Sequence, residues 1–115
     1  MTVTELFAGV PVADLPAALA WYERLLGGPP AFHPNDDEAV WRVAGGWIYV
    51  VRDAARAGNA LVTLLVDDLD AEVVALVARG IEAGPIETIP GAVRTAQITD
   101  PEGNRIQFGQ PETSR

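Results

Sequence analysis

The sequence contains two stretches in which apolar residues recur at the spacing of one α-helix face. The first predicted buried face consists of Leu15, Leu19, Tyr22 and Leu26. The second consists of Leu69, Val73, Leu76 and Val77. An Asp-Leu pair opens both helices, and Asp14 and Asp68 are predicted N-caps because their carboxylates accept hydrogen bonds from free first-turn amides. Gly27 and Gly80 are predicted to end the helices.

Segments in which apolar and polar residues alternate, as in strands, flank both helices in the same order. The chain therefore has an internal repeat. Residues 10–17 match residues 64–71, and each copy shows the end of a strand followed by the start of a helix. Three further strands are predicted after each helix. They lie at a weak segment Ala31–His33 and at 38–43 and 46–52 in the first copy, and at 82–87, 93–99 and 104–108 in the second. Residues 53–59 are predicted to link the copies.

Because successive side chains of a strand point to opposite sides of the sheet, the sequence also predicts which side each residue of the first strand of each copy occupies. The residues predicted to face the helix are Leu6, Ala8, Val10 and Val12, then Ala60, Val62, Leu64 and Val66. The opposite side is called the open face. Its predicted residues are Glu5, Phe7, Gly9 and Pro11, then Asn59, Leu61, Thr63 and Leu65. Phe7 and Leu61 therefore occupy equivalent positions of the repeat.

Composition restricts the classes of function. A chain of 115 residues fits one domain and can bury roughly two thirds of its unfolded surface. The absence of cysteine excludes disulfides, thiolate zinc sites and cysteine nucleophiles, and fits a cytoplasmic location. A net charge of −8, with 8 scattered basic residues, disfavours nucleic-acid binding. We expect no signal peptide and no membrane span, because the first residues lack a basic segment and the apolar runs are short.

The segment from Asp100 to Phe108 combines the turn Asp-Pro-Glu-Gly-Asn with an alternating strand. It resembles the last hairpin of the vicinal oxygen chelate superfamily, which includes glyoxalase I, extradiol dioxygenases and bleomycin-resistance proteins. The resemblance covers nearly the whole chain. It implies an α+β fold, with tandem βαβββ modules forming a curved mixed sheet around a cavity. The domain of residues 1–115 would contain module one (about 1–53) and module two (about 59–110). Such chains commonly form homodimers, sometimes with modules exchanged between chains.

The resemblance also implies four positions at which metal-dependent relatives carry their ligands. In this chain they are Phe7, Tyr49, Leu61 and Gln107. Divalent metals need imidazole, carboxylate or comparable donors, whereas Phe and Leu have none and Gln and neutral Tyr are weak. We therefore expect no metal and no other cofactor. His33, Asp36 and Asp37 lie in a proline-rich turn segment and are interpreted as loop residues.

These positions and their neighbours predict a cavity that binds a small molecule. The candidate ligand-binding residues are Phe7, Trp41, Trp47, Tyr49, Leu61, Thr63 and Gln107. Aromatic rings suit planar or cationic ligands, and hydroxyl and amide groups can orient them. The pattern leaves open whether Thr95, Gln97 and Thr99 share this face and whether Arg94 lies opposite.

The facing of Trp41 depends on the length of the following hairpin turn. A three-residue turn pairs Trp41 with Tyr49. A two-residue Gly45-Gly46 turn instead pairs Arg42 with Tyr49. We favour the three-residue turn because it keeps the charge of Arg42 off the open face.

Together these observations favour a metal-free protein that binds a small molecule, such as an antibiotic or an aromatic metabolite, without catalysis. The expected protein partner is a second copy of the chain. One alternative is a metal-independent isomerase or cyclase that uses Tyr49, Gln107 or Glu5 for proton transfer or hydrogen bonding. The others are a metal-dependent glyoxalase- or dioxygenase-type enzyme and a structural dimer without a ligand.

Overall fold

The computed structural model describes residues 1–112, which form two helices and seven strands. In chain order these are β1 (Phe7–Val12), α1 (Leu15–Leu26), β2 (Glu38–Val43), β3 (Gly46–Arg52), β4 (Leu61–Leu65), α2 (Leu69–Ala78), β5 (Glu87–Ile89), β6 (Val93–Thr99) and β7 (Arg105–Pro111). The strands predicted at 38–43, 46–52 and 93–99 are confirmed residue for residue.

The strands form two mixed sheets, one from each copy of the repeat. The first sheet has the order β1-β3-β2 and the second the order β4-β7-β6-β5. In both, the first strand lies at an edge and pairs in parallel with the last strand of its own module, while the remaining pairs are antiparallel. The predicted α+β fold of tandem βαβββ modules is therefore confirmed.

The strand directly after each helix departs from its prediction. The segment Ala31–His33 is reduced to one bridge, between Phe32 and Val40. The strand predicted at 82–87 is wrong, because β5 begins only at Glu87 and continues to Ile89. Gly84 donates one hydrogen bond to the Gln97 carbonyl at 2.9 Å, but the following Pro85 has no amide with which to extend the ladder.

Both helices begin as predicted. The Asp14 carboxylate accepts from the Ala17 amide at 3.1 Å, and the Asp68 carboxylate accepts from the Ala71 amide at the same distance. Gly27 caps the end of α1 with φ 84°, while Arg79 caps α2 ahead of Gly80. Among the described residues 1–112, neither helix is long and apolar enough to cross a membrane.

The buried helix faces are only partly those predicted. The buried residues of α1 are Leu15, Ala18, Trp21, Tyr22 and Leu25, whereas Leu19 and Leu26 are partly buried. Trp21 widens the apolar stripe by packing edge-on against Tyr22, with ring centroids 4.8 Å apart. On α2, Leu69 and Leu76 are buried and Val73 packs against the core, but Val77 is 60% exposed.

One continuous apolar core joins the helices to the inner faces of both sheets. Val10 and Val12 are fully buried, and Ala8 packs against them as predicted. The helix-facing residues of the second copy are Ala60, Val62, Leu64 and Val66, and all four pack against the same core. The prediction fails only at Leu6, which precedes β1 and is 69% exposed.

The Asp-Pro-Glu-Gly-Asn turn ties module two to module one. The Asp100 carboxylate accepts from the Glu102 and Asn104 amides at 2.8 and 2.9 Å, which fixes the turn. The buried side-chain amide of Asn104 then donates to the Pro11 carbonyl of β1 at 2.8 Å. The segment that marks the family in the sequence therefore acts as a structural clamp.

Two further contacts hold α1 against module two at its opposite ends. At the N-terminal end, the Glu102 carboxylate accepts from the Ala13 and Asp14 amides at 2.6 and 2.9 Å. At the C-terminal end, the Arg79 guanidinium donates to the carbonyls of Arg24 and Leu25. Anions suit the first position and cations the second because of the helix dipole.

Candidate ligand-binding site

The open face of the first sheet carries aromatic residues in register. Phe7 on β1 pairs with Trp47 on β3, and Trp47 pairs with Arg42 on β2. The next row of the same face consists of Gly9, Tyr49 and Val40. Both rows project away from α1, because residues two apart on a strand share a face.

Phe7, Trp47, Phe32 and Tyr49 form one aromatic cluster. Phe7 and Trp47 are stacked, with ring centroids 5.7 Å apart and planes 9° from parallel. Phe32 meets Trp47 edge-on at 5.8 Å, and Tyr49 meets Phe7 at 6.4 Å. Phe7 is 47% exposed and Phe32 44% exposed. A cluster of exposed apolar rings is typical of a binding surface.

Arg42 and Glu5 complete the surroundings of Trp47. The Arg42 guanidinium carbon lies 4.6 Å from the indole centroid. The Glu5 carboxylate accepts from the indole N–H at 3.1 Å and lies 3.6 Å from the Arg42 guanidinium. Because β1 and β2 flank β3 on opposite sides, Phe7 and Arg42 cover opposite faces of the indole. Glu5 is half-exposed and paired, which does not fit a buried general base.

Tyr49 lies directly over Gly9. A Cβ atom added to Gly9 would come within 2.7 Å of the Tyr49 Cζ and Oη atoms, which is closer than real contacts allow. The missing side chain of Gly9 therefore creates the space in which the Tyr49 ring rests.

The hairpin that sets this arrangement differs from both predicted forms. Val43 pairs with Gly46, so the turn consists of Ala44 and Gly45. Ala44 has φ 52°, the left-handed conformation that tight hairpin turns require. Tyr49 consequently pairs with Val40, and neither predicted partner is correct.

Trp41 is the one predicted binding residue that the structure removes from the open face. It is 4% exposed and faces α1, where its indole N–H donates to the Gly28 carbonyl at 2.9 Å. The predicted turn had the wrong length, and a shift of one residue moves every side chain of a strand to the other face. The same shift brings Arg42 onto the open face beside Trp47, contrary to the prediction.

The open face of the second sheet is polar at its centre. Register places Thr63, Gln107 and Gln97 side by side on β4, β7 and β6. The Thr63 hydroxyl donates to the Gln107 side-chain carbonyl at 3.4 Å. Leu61 and Leu65 flank Thr63 on β4 and are 60% and 66% exposed.

The burial pattern of β6 shows which of its side chains lie on the open face. Ala96 and Ile98 are buried against the core, so Thr95, Gln97 and Thr99 share the open face with Gln107. Together with the segment before β5, these residues line a cavity of about 460 Å³. Its lining residues are Glu82, Ala83, Gly84, Pro85, Glu87, Thr95, Gln97, Thr99 and Gln107.

Arg94 lies on the opposite side of β6, facing α2. Its guanidinium donates twice to the Asp70 carboxylate, at 3.0 and 3.1 Å. These hydrogen bonds lower the pKa of Asp70 and raise the pKa of Arg94. Arg94 is therefore engaged with the helix. The charged groups near the open face of the second sheet are Arg105, which lies two residues before Gln107 on β7, and Glu82 and Glu87, which line the cavity.

The predicted site residues lie on two separate sheets. Phe7, Trp47 and Tyr49 belong to the first, while Leu61, Thr63 and Gln107 belong to the second. The chain is also elongated: its radius of gyration is 14.7 Å, against about 13 Å for a compact domain of this length. The two groups of candidate residues therefore belong to different sheets of the chain.

The residues do not fit the metal site found in metal-dependent relatives. Phe7 and Leu61 have no donor atoms, and Gln107 is hydrogen-bonded to Thr63. Within residues 1–112, no group of three or more His, Cys, Asp or Glu side chains is placed to hold a metal ion. His33 bonds the Glu38 carbonyl at 3.0 Å, as a loop residue does.

Several residues of the open faces lie outside the predicted set, among them Arg42, Phe32 and Gln97. Arg42 was missed because the tight-turn character of Ala44-Gly45 was not recognised. Phe32 could have been found only from the bridge that places it beside β2. Gln97 could be placed on the open face only once the buried face of β6 was known, and the alternating sequence of β6 does not show which face is buried.

Comparison with known proteins agrees with this architecture. The chain belongs to the glyoxalase/bleomycin resistance protein/dioxygenase superfamily, whose model matches residues 5–108. The sequence has no significant match among curated proteins.

Solved structures show the same fold. A glyoxalase / bleomycin resistance protein from Catenulispora acidiphila DSM 44928 is 46% identical, with a TM-score of 0.87 over 94% of this chain and 98% of that one. TnmS3, an antibiotic binding protein from Streptomyces sp. CB03234, is 26% identical, with a TM-score of 0.78 over 97% and 99%. A bleomycin-binding protein from Streptomyces verticillus, solved with copper(II)-bleomycin, is 22% identical, with a TM-score of 0.78 over 97% and 99%. At 22% identity, the similarity to the Streptomyces verticillus protein shows a shared fold and nothing about function.

Proposed function

We propose that the protein binds a small planar molecule and does not catalyse a reaction on it. The observation that carries the proposal is the cluster of Phe7, Trp47 and Tyr49 on the sheet face that α1 leaves uncovered. Stacked rings attract planar groups by dispersion and quadrupole interactions. The amides of Gln97 and Gln107 would orient the ligand by hydrogen bonds, as polar groups do in mostly apolar sites.

We further propose that a second copy of the chain completes the site. The strands β1 and β4 lie at sheet edges, and an uncovered edge strand can pair with another chain. In a two-fold dimer, β1 of one chain would lie beside β4 of its partner. The aromatic face of one chain would then oppose the polar face of the other, giving two equivalent sites.

The ligand class that fits best is a planar aromatic compound with a basic group, such as an antibiotic or an aromatic metabolite. The net charge of −8 favours cations near the surface. Proteins that bind antibiotics occur among the structural relatives, including TnmS3. We propose that binding needs no metal, since the four family ligand positions hold Phe, Tyr, Leu and Gln.

Tryptophan fluorescence provides a direct test. Trp21 and Trp41 are 8% and 4% exposed, so quenching by a ligand reports on Trp47. Bleomycin, the planar cation proflavine and the neutral sugar glucose would be titrated in the presence of a chelator. We expect saturable quenching by a planar compound, loss of the signal in Trp47→Phe and its retention in Trp41→Phe. Absence of a saturable response to any planar compound would contradict the proposal.

A further inference from the structure

Both faces of the Trp47 indole are occupied in this structure. Phe7 stacks on one face at 5.7 Å, and the Arg42 guanidinium lies over the other at 4.6 Å. A planar ligand can therefore stack on Trp47 only if one of these groups moves. Phe7 is short and held by the strand, whereas Arg42 is long, flexible and 48% exposed at its side chain.

We propose that Arg42 is an internal occupant of a cation site formed by Trp47 and Glu5, and that a planar cationic ligand binds by displacing it. This inference rests on the proposed function and specifies its ligand. A guanidinium is itself a planar cation. The groups that hold it are an aromatic face and a carboxylate 3.6 Å away. An amidinium or a protonated aromatic amine presents the same shape and charge to them.

Displacement of Arg42 is feasible because its contacts are weak. Its ion pair with Glu5 joins two half-exposed side chains, and exposed pairs contribute little stability. Glu5 stays in place without Arg42, since it also accepts the Trp47 indole N–H at 3.1 Å. The carboxylate would thus be ready for an incoming cation when the arginine swings out to solvent.

The surrounding charges disfavour the opposite role, in which Arg42 recognises an anionic ligand. Glu5 already balances the Arg42 charge. An incoming carboxylate would meet the Glu5 carboxylate beside an arginine that is already paired, so the electrostatic preference is for cations.

Three probes of equal shape and different charge test this inference: benzamidinium, benzamide and benzoate. Their affinities would be measured by Trp47 fluorescence for the native protein, Arg42→Gln and Arg42→Gln/Glu5→Gln. Arg52→Gln is the matched control, because Arg52 pairs with Asp37 rather than lying against Trp47. We expect Arg42→Gln to bind benzamidinium roughly two- to five-fold more tightly, the range of one exposed cation–π contact. The double variant should lose this gain.

A second measurement guards against misfolding of the variants. Acrylamide quenching should reach Trp47 more readily in Arg42→Gln than in the native protein or Arg52→Gln. If Arg42→Gln weakens benzoate binding, or if the three probes bind equally in every variant, the inference is overturned while the proposed binding function stands. If no probe and no planar compound binds any variant, both fail.

Discussion

The Tyr22 hydroxyl donates a hydrogen bond to the buried Asp100 carboxylate at 2.8 Å, joining α1 to the turn that precedes β7. Asp100 also accepts from the Asn104 side chain at 2.9 Å. Asn104 in turn binds Pro11 of β1 and accepts from the Ala60 amide at the start of module two. This network holds the two modules in one arrangement and thereby fixes where the open faces lie.

Tyr22→Phe should destabilise the protein by about 1–2 kcal/mol, because the buried Asp100 loses a donor but keeps the others. Urea unfolding followed by far-UV circular dichroism measures this change. Tyr49→Phe is the control, since Tyr49 lies on the open face outside this network. Equal stability of Tyr22→Phe and the native protein would show that the network does not support the fold.

The same tyrosine predicts a loss of stability in alkaline solution. Burial, followed by the charge of Asp100 and its hydrogen bond, raises the pKa of Tyr22 far above its ordinary value. The unfolded chain releases the phenolic proton near pH 10, whereas the folded chain retains it. The unfolding free energy is therefore unaffected below this pH and falls as pH rises above about 10. Tyr22→Phe should lack this component when both proteins are unfolded across pH 8–11.

Gly9→Ala should displace the Tyr49 ring from its position. The added methyl would overlap the ring atoms, and such overpacking costs typically about 1–3 kcal/mol. In a Tyr49→Ala background the same change should cost much less, because the three atoms nearest to the added methyl all belong to the Tyr49 ring. The coupling comes from a double-mutant cycle of unfolding free energies. Additive effects would contradict the contact between Gly9 and Tyr49.

The sequence predicts much of the fold because its signals are local. The Asp caps, the glycine at the end of α1 and the alternation of β1 each depend on a few neighbouring residues. The side assigned to Trp41 was wrong because it depends on the exact length of the following turn, Ala44-Gly45, and one residue reverses the result. The clamp made by Asp100 and Asn104 could not be foreseen either, since its partners lie far away in sequence.

The candidate binding surface was predictable only in part, because it depends on how neighbouring strands pair. Phe7 and Leu61 follow from alternation within a single strand. Arg42 beside Trp47 depends on the register between two strands, and Gln97 beside Gln107 on the pairing of two others. The register between strands depends on exact turn length, which a single sequence defines poorly.

The native protein should be a dimer in light scattering. Leu65→Lys should shift it toward the monomer, because Leu65 is 66% exposed on β4, the proposed contact strand. Val74→Lys, on the outer face of α2 and 70% exposed, is the matched control and should leave the mass unchanged. A monomeric native protein, or a dimer broken only by Val74→Lys, would contradict the proposed interface.

Subunit mixing tests the central claim most directly. One variant, Phe7→Ala/Trp47→Ala, disables the aromatic face, and another, Gln97→Ala/Gln107→Ala, disables the polar face. Each alone should bind the planar compound identified by fluorescence only weakly. After unfolding and refolding together in equal amounts, half of the dimers would be mixed, and each mixed dimer would contain one intact site of two. The mixture should therefore regain about one quarter of the native binding capacity in calorimetric titration, as two-fold pairing requires. A mixture that binds no better than the separate variants would contradict a site shared between two chains.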